Sequence, residues 1–329
     1  MHTKKNVVVI GGGTGTHTVL KGLKKYQDQI NISAIVTMAD SGGSTGKLRD
    51  EFGYLPVGDV RMCLSALASE VDEHEELLRE LFLYRFNKGE GLSGHNFGNL
   101  LLVALTDILG SEEEAIKAAA RVLRVRGEVI PITTNPSHLV AWYDDGTKLV
   151  GEHLIDEPTN KKITEVALEP KVSISKDASD RIKEADLVIV GPGDLYTSLA
   201  AALVVEGVSD SIKDTRAKVV YIFNLMTKMG QTDDFGAKEH LATISQYLTR
   251  QPDYVLVNST EASPSLLERY QEEGEWPVRV NVDTSQDQFI VDDFVADEII
   301  RTTAGDTLKR SLVRHDSNKL ARVIISLIN

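Results

Sequence analysis

The chain has 329 residues, 42% of them hydrophobic and 26% charged. This excludes disordered, collagen-like and small disulfide-built classes, and at roughly 100–200 residues per domain it leaves room for one large α/β domain or two smaller ones. The 36 Lys and Arg against 49 Asp and Glu give a formal charge of −13, which argues against nucleic acid or an anionic membrane surface as the main partner, although screening still lets a local basic cluster hold a small anion.

The first six residues lead into only a four-residue apolar run, Val7-Val8-Val9-Ile10, too short for the apolar core of a signal peptide. The run reads as a buried strand. It ends in Gly11-Gly12-Gly13-Thr14-Gly15, and Val19, Leu20 and Leu23 follow at helical spacing, so the order is strand, glycine turn, helix. A strand over 30–36 then closes a parallel βαβ unit with a right-handed crossover. From about 58 to 126 there is no strand signal, and Leu77, Leu78, Leu81 and Phe82 recur at helical spacing, which reads as a helical insertion. The lone cysteine, Cys63, falls there and reads as a small buried hydrophobe; with no second cysteine, no internal disulfide or thiolate-rich zinc site can form, as expected of a protein in the reducing cytoplasm. The longest apolar stretch, 100–105, meets Asp107 long before it could span a bilayer.

Over about 137–172 the pattern turns to β, with Leu139-Val140-Ala141-Trp142-Tyr143, the turn Asp144-Asp145-Gly146 and Lys148-Leu149-Val150 forming a hairpin that extends or covers the sheet. Apolar runs return at 185–190, 218–223 and 253–257, each ending at a polar or glycine-bearing loop, and 318–327 is an amphipathic helix. The expected fold is a single α/β domain over 1–329, Rossmann-like and doubly wound on a mainly parallel sheet. Ligands of such sheets bind at the carboxyl ends of the strands.

Five polar, glycine-bearing segments associated with the sheet carry the candidate chemistry. The turn at 11–15 can cradle a pyrophosphate on a helix N-terminus, with Thr14 and Thr16 adding hydroxyls. The strict G-x-G-x-x-G fingerprint fails because Thr16 or Thr18 stands at the third glycine, which disfavours a nicotinamide dehydrogenase and leaves a plain tight turn as the other reading. Asp40-Ser41-Gly42-Gly43-Ser44-Thr45-Gly46-Lys47-Leu48-Arg49 is close to a P-loop, but Ser41 stands where Walker A needs Gly and Leu48 where it needs the magnesium-holding hydroxyl. Asp40 is placed to bond a ribose or a metal ion, against the plain reading of a glycine-serine loop. Asp59 is explained by an N-cap role. In Gly94-His95-Asn96-Phe97-Gly98-Asn99 the amides can read a base or sugar edge, or the cluster simply caps a helix around a satisfied His95; no second His or Cys at ligand spacing supports a metal there. Gly191-Pro192-Gly193-Asp194 offers a rigid turn with amides open to an anion, with Asp194 alternatively a helix cap, and Asn224 begins a loop rich in hydroxyls. Near the C-terminus Arg314 either pairs with Asp316 or holds a phosphate.

In order along nearly the whole chain, Gly-Gly-Gly-Thr-Gly, Ala39-Asp40-Ser41-Gly42-Gly43-Ser44-Thr45-Gly46, Gly94-His95-Asn96-Phe97-Gly98-Asn99, Asn135-Pro136-Ser137 and Gly191-Pro192-Gly193-Asp194-Leu195-Tyr196-Thr197-Ser198 resemble the bacterial gluconeogenesis factor family, which shares a superfamily with 2-phospho-L-lactate transferase. The resemblance implies a cytoplasmic factor that binds a nucleotide sugar of the UDP-N-acetylglucosamine type, with or without magnesium and with no further cofactor. Such a factor links growth on gluconeogenic carbon to cell-wall synthesis and cell shape through a protein partner. On that reading Gly12, Gly13, Thr14 and Gly15 cradle phosphate, Asp40, Ser41, Gly42 and Gly43 bound the nucleotide site, and Asn96, Asn99, Gly191, Gly193, Asp194 and Asn224 close the cleft with Arg314 on a phosphate.

The alternative implied by the superfamily is a transferase joining an activated phosphoester donor to a hydroxyl acceptor, with Asp40 or Asp194 holding a metal or taking the proton. That demands an aromatic-lined acceptor pocket, whereas aromatics are 6% of the chain and only Phe97 and Tyr196 fall near the glycine loops. A homo-oligomer is the default expectation. Thr302 and Thr303, between Arg301 and Gly305 and near Arg310, suggest a phosphosite.

Overall fold

Apolar runs too continuous for a half-exposed sheet require cover on both faces, and the computed structural model, which describes residues 3–260, 263–296 and 313–328, supplies it. Strand β1 (Lys5–Gly11) feeds the glycine turn into α1 (Gly13–Leu23), and β2 (Ile30–Val36) pairs with β1 in parallel along its whole length. Next come α2 (Gly43–Phe52), α3 (Gly58–Leu67), α4 (Glu73–Leu83), α5 (Phe97–Leu109) and α6 (Glu112–Val122), before β3 (Glu128–Pro131) returns to the sheet beside β2. A hairpin of β4 (His138–Tyr143) and β5 (Lys148–Val150) leads through the single turn α7 (Glu152–Ile155) to β6 (Ile163–Glu169). After α8 (Lys176–Lys183) and β7 (Leu187–Val190), a π-helical turn at Leu195–Ala200 runs into α9 (Ala201–Leu203). The chain continues through α10 (Val208–Asp214), β8 (Lys218–Ile222), α11 (Ala237–Leu248), β9 (Tyr254–Asn258), α12 (Pro264–Glu272), β10 (Phe289–Asp292) and α13 (Ser317–Ser326).

Among the described residues the main sheet has seven strands in the order β10-β9-β8-β7-β1-β2-β3, all parallel. The order reverses between β1 and β7. At that switch point the loops leaving the two strands diverge to opposite faces and leave a crevice between them. Val7 to Ile10 and Leu187 to Val190 are fully buried on both faces there.

The strands expected at 30–36, 185–190, 218–223 and 253–257 are all present in the parallel sheet, as are the helices of the 58–126 segment and the terminal helix. Helix α3 packs on α1, β2 and β3, so part of the helical segment is the crossover layer of the sheet itself. Two edge strands, β3 and β10, are additional to the sequence expectation; each is only four residues long. The hairpin does not extend the main sheet: β6 joins it in a separate antiparallel sheet of order β5-β4-β6. Cys63 is buried and free. Among the described residues no helix is long and apolar enough to cross a membrane. Thr302, Thr303, Arg301 and Arg310 lie outside the described residues.

Candidate functional site

The crevice at the switch point is a cleft of about 1070 Å³. Its floor is the glycine turn after β1. Gly12 has no room for a side chain, since a Cβ there would come within 2.1 Å of Asp59 Oδ2; Gly13 adopts φ +64° and donates its N–H to Asp59 Oδ1 at 2.9 Å. The N-terminus of α1 therefore already carries an anion, the carboxylate of Asp59, where helix amides and dipole favour negative charge. This corrects the capping role expected of Asp59: Val57 occupies the N-cap of α3, Asp59 lies in the first turn, and its carboxylate serves α1 instead. Gly15 is held against the turn after β7, where a Cβ would meet the Pro192 carbonyl at 2.2 Å. Thr14 and Gly15 line the cleft, and first-turn amides have no carbonyl partner within their own helix. Thr16 is buried with its hydroxyl unpartnered, so it does not supply the cleft donor expected of it.

The loop after β2 adds a second carboxylate. Asp40 Oδ1 accepts the Gly42 N–H at 2.9 Å, and Gly58 is glycine because a Cβ would lie 2.2 Å from Asp40 Oδ2. Burial raises the Asp40 carboxyl above its ordinary range. Burial and then the Asp40 charge push Asp59 up to about 7. Gly42 and Gly43 line the cleft, Gly43 at φ +50° with open space around it. Ser41 is not in the cleft wall; its hydroxyl lies 2.9 Å from His153 Nδ1 and accepts the His153 N–H at 3.1 Å. Lys47, the residue in the P-loop lysine position, is exposed and outside the wall. Arg49 donates to the Ser137 carbonyl at 3.0 Å and ties α2 to the start of β4.

Of the α5 amides, the structure brings only Asn99 to the cleft. It accepts from Arg61 Nε at 2.9 Å and donates to Ser44 Oγ at 3.3 Å, a buried network that also places Ser44 Oγ 3.2 Å from His95 Nδ1. Asn96 is buried and consumed by structure: its Oδ1 caps α5 through Gly98 N–H at 2.9 Å and its Nδ2 bonds the Leu83 carbonyl at 2.8 Å.

On the other side of the switch point, Asn224 joins two strand-end loops, accepting the Gly193 N–H at 3.1 Å and donating to Asp194 Oδ1 at 3.3 Å. Gly191 is turned away from the cleft at φ +88°, against the Ile222 carbonyl. Asp194 Oδ2 receives Lys228 Nζ at 2.6 Å, and the same ammonium bonds Asp156. Burial opposes that ammonium charge, but Asp194 and Asp156 outweigh it and hold Lys228 above the ordinary lysine value. Asp156 Oδ1 also accepts from Gln231 Nε2 at 3.1 Å and Thr197 Oγ1 at 3.3 Å. Asp156 follows α7, and the first residue of that helix is the fold's other unexpected contribution: burial, followed by the charges of Asp40, Asp156 and Asp59, pushes Glu152 up to about 8. The β-rich extension thus delivers Glu152, His153 and Asp156 across the mouth of the cleft. Arg85, Arg269, Tyr270 and Arg314 also line the cleft.

Lys228, Glu152 and Asp156 were missed in the sequence, where only the strand-end position of Lys228 offered a signal. Two carboxylates with elevated pKa values can exchange protons near neutrality, while the turn amides and arginines suit phosphate. Among the described residues no group of three His, Cys, Asp or Glu is arranged to hold a metal ion. Neither Phe97 nor Tyr196 lines the cleft; Tyr270 does.

The family described as 2-phospho-L-lactate transferase CofD matches residues 7–295. The chain is 40% identical over 312 residues to the gluconeogenesis factor of Halalkalibacterium halodurans, covering 92% of this chain and 94% of that protein. To the gluconeogenesis factor of Bacillus subtilis it is 36% identical over 330 residues, covering 100% and 99%. A crystal structure of a member of the UPF0052 family from Bacillus halodurans superposes with a TM-score of 0.88 at 38% identity, covering 99% of this chain and 100% of that one.

Proposed function

The chain belongs to the 2-phospho-L-lactate transferase CofD family, and from that premise we propose that it is a gluconeogenesis factor whose cleft binds a nucleotide sugar of the UDP-N-acetylglucosamine type. In this role it couples carbon supply to cell-wall synthesis and cell shape. The observation that carries the proposal is the cleft itself: about 1070 Å³ at the topological switch point, larger than a nucleoside diphosphate fills, lined by turn glycines, carboxylates and arginines interspersed with Leu225, Met226 and Val313, and with Tyr270 the one Phe, Tyr or Trp in its wall among the described residues. A nucleotide plus a hydroxylated sugar suits such a wall better than a flat aromatic acceptor does. The diphosphate would lie over the Thr14 and Gly15 amides with Arg61 and Arg314 nearby, and Asn99 and Asn224 would serve sugar or base edges. A magnesium ion entering with the phosphates would find Asp40 and Asp59 as its protein carboxylates.

One observation favours a transferase as the second reading. Asp59 at about 7 is ionised often enough at neutrality to accept a proton from an attacking hydroxyl, and Glu152 at about 8 holds a proton that it can give to a leaving group. Calorimetric titration with UDP-N-acetylglucosamine, UDP-glucose, GDP and NAD, with and without magnesium, separates the readings. Binding of a UDP sugar with no product detected by mass spectrometry, and lost in Arg61→Met, supports the factor. Failure of both UDP sugars alongside magnesium-dependent GDP binding that disappears in Asp40→Asn would replace it with the transferase.

A further inference from the structure

At the amino ends of β1, β2 and β3, the opposite end of the sheet from the cleft, lies a second pocket of about 390 Å³. The two are separated by about 20 Å, the length of the seven-residue β1. The sheet face that floors this pocket is covered by α8, and a parallel sheet buried on both faces is expected to be apolar there. It is polar instead. The register sets Asn6 beside Asn31, and Val8, Ser33 and Glu128 in a row; paired residues, and residues two apart on a strand, share a face. Ser33 stands in the middle of β2, is 7% exposed and lines the pocket, yet its hydroxyl makes no hydrogen bond among the described residues. A buried hydroxyl without a partner is destabilising, and a position that breaks the local rule with no structural gain points to function.

The other polar groups divide into those that build the wall and those that stay open. Arg181 clamps α8 to β3: its Nε and Nη2 donate to the two carboxylate oxygens of Glu128 at 2.7 and 3.1 Å, and its Nη1 donates to Glu184 at 3.1 Å. Asn6 is used up as well, accepting from Asn31 Nδ2 at 2.9 Å and donating to the Glu184 carbonyl at 3.1 Å. Ser33 Oγ and Asn31 Oδ1 stay open. At the rim, Lys4 and Arg126 precede β1 and β3, the two neighbours of β2, and so flank its start. Lys4 Nζ donates to the Gln27 carbonyl at 2.6 Å and has two further N–H groups, while Arg126 reaches Ser69 Oγ at 3.4 Å.

We propose that this pocket binds a small hydroxylated carboxylate, with the carboxylate at Lys4 and Arg126 and a hydroxyl on Ser33 and Asn31. Charge selects the class. The wall sets Lys4, Arg126 and Arg181 against Glu128 and Glu184, one positive charge in excess on a chain of formal charge −13. That excess matches a monoanion, whereas a phosphate dianion would bring a second negative charge beside two carboxylates. Asn31 Oδ1 only accepts, so the group that meets it must carry a hydrogen; a hydroxyl does and a carboxylate does not. Val8 at the floor suits a short carbon chain between the two ends. The inference is independent of which ligand the cleft takes.

Calorimetric titration of the full chain with D-gluconate, D-glycerate, acetate, glucose and inorganic phosphate tests it. Gluconate or glycerate should bind with a Kd of about 1 mM or below. Acetate and glucose should bind about tenfold more weakly or worse, because each lacks one half of the contacts. Ser33→Ala should weaken the hydroxy acid about fivefold and Lys4→Ala with Arg126→Gln more than about tenfold, both without a lowered melting temperature. Arg61→Met, which alters the cleft and not this pocket, should leave the affinity unchanged. The proposal is overturned if neither hydroxy acid binds at about 10 mM, or if binding survives both the Ser33 and the Lys4 and Arg126 substitutions. It is overturned equally if Arg61→Met abolishes binding, which places the ligand in the cleft, or if phosphate binds more tightly than either hydroxy acid.

Discussion

Asp59 and Glu152 are the residues whose chemistry departs furthest from their composition. Each has a folded-state pKa above its ordinary value, 3.8 moved to about 7 and 4.5 to about 8. Their contribution to stability is therefore complete below the ordinary values and lost as the pH rises through about 7 and about 8, because the native state then holds protons that the unfolded chain has released. Glu152→Gln removes one such penalty. It should leave urea stability at pH 5 nearly unchanged and raise it at pH 9 by about 1–3 kcal/mol; equal effects at both pH values would show that Glu152 is ionised throughout. A second contrast separates two glycines read as parts of similar loops. Gly15→Ala drives a methyl into the Pro192 carbonyl and should cost about 2–3 kcal/mol, whereas Gly43→Ala meets only its φ of +50° in open space and should cost about 1 kcal/mol. Chemical denaturation of the two variants checks the order.

Helix α7 owes its importance to what it holds. One turn long, it ties the antiparallel sheet to the α2 loop through His153 and Ser41 and to the β7 and β8 loops through Asp156. Lys228 neutralises Asp156 and Asp194 together. Lys228→Met leaves both carboxylates uncompensated and, because the lysine keeps about a fifth of its surface in solvent, should cost about 2 kcal/mol, below the value for a fully buried pair. Hydrogen exchange should quicken in α7 and β4 to β6 while β1 and β2 keep their protection, and adding Asp156→Asn should restore part of it. Unchanged exchange in α7 would mean that Lys228 does not hold the extension down.

What the sequence disclosed follows from the same physics. Central parallel strands are legible because burial on both faces writes them as unbroken apolar runs, while β3 and β10 sit at the edges, four residues each, and leave no such run. The glycine loops were legible as neighbours at one strand-end cleft, but part of their reason was hidden. Gly12, Gly15 and Gly58 yield space to Asp59, Pro192 and Asp40, contacts between segments that no local motif records. For Asn96 the sequence left a ligand amide and a helix cap both open, and the contacts with Gly98 and Leu83 decide for the cap. Glu152 and Asp156 stand more than a hundred residues after Asp40, at the two ends of a helix too short to carry a periodic signal.

For the molecule as a whole, charge sets an unusual condition on an anionic ligand. The formal charge is −13, and the cleft repeats the imbalance locally: among the described residues nine Asp or Glu and five Lys or Arg form its wall. Protonation of Asp59 and Glu152 near neutrality reduces the excess without reversing it. On the proposed function, a nucleotide sugar approaching from solvent would therefore meet a repulsive field until close enough for Arg61, Arg85 and Arg314 to act individually. Salt screens the long-range repulsion more effectively than the contacts inside the cleft. In magnesium-free buffer the association rate of UDP-N-acetylglucosamine, followed by stopped flow, should accordingly rise a few-fold between about 20 and 200 mM salt, opposite to the usual behaviour of a phosphate site. With magnesium on the diphosphate the ligand charge falls and the slope should flatten. A rate that instead drops with salt in both buffers would mean that the arginines dominate the field beyond the cleft mouth, and that the carboxylates within are neutralised more completely than Asp59 and Glu152 alone allow.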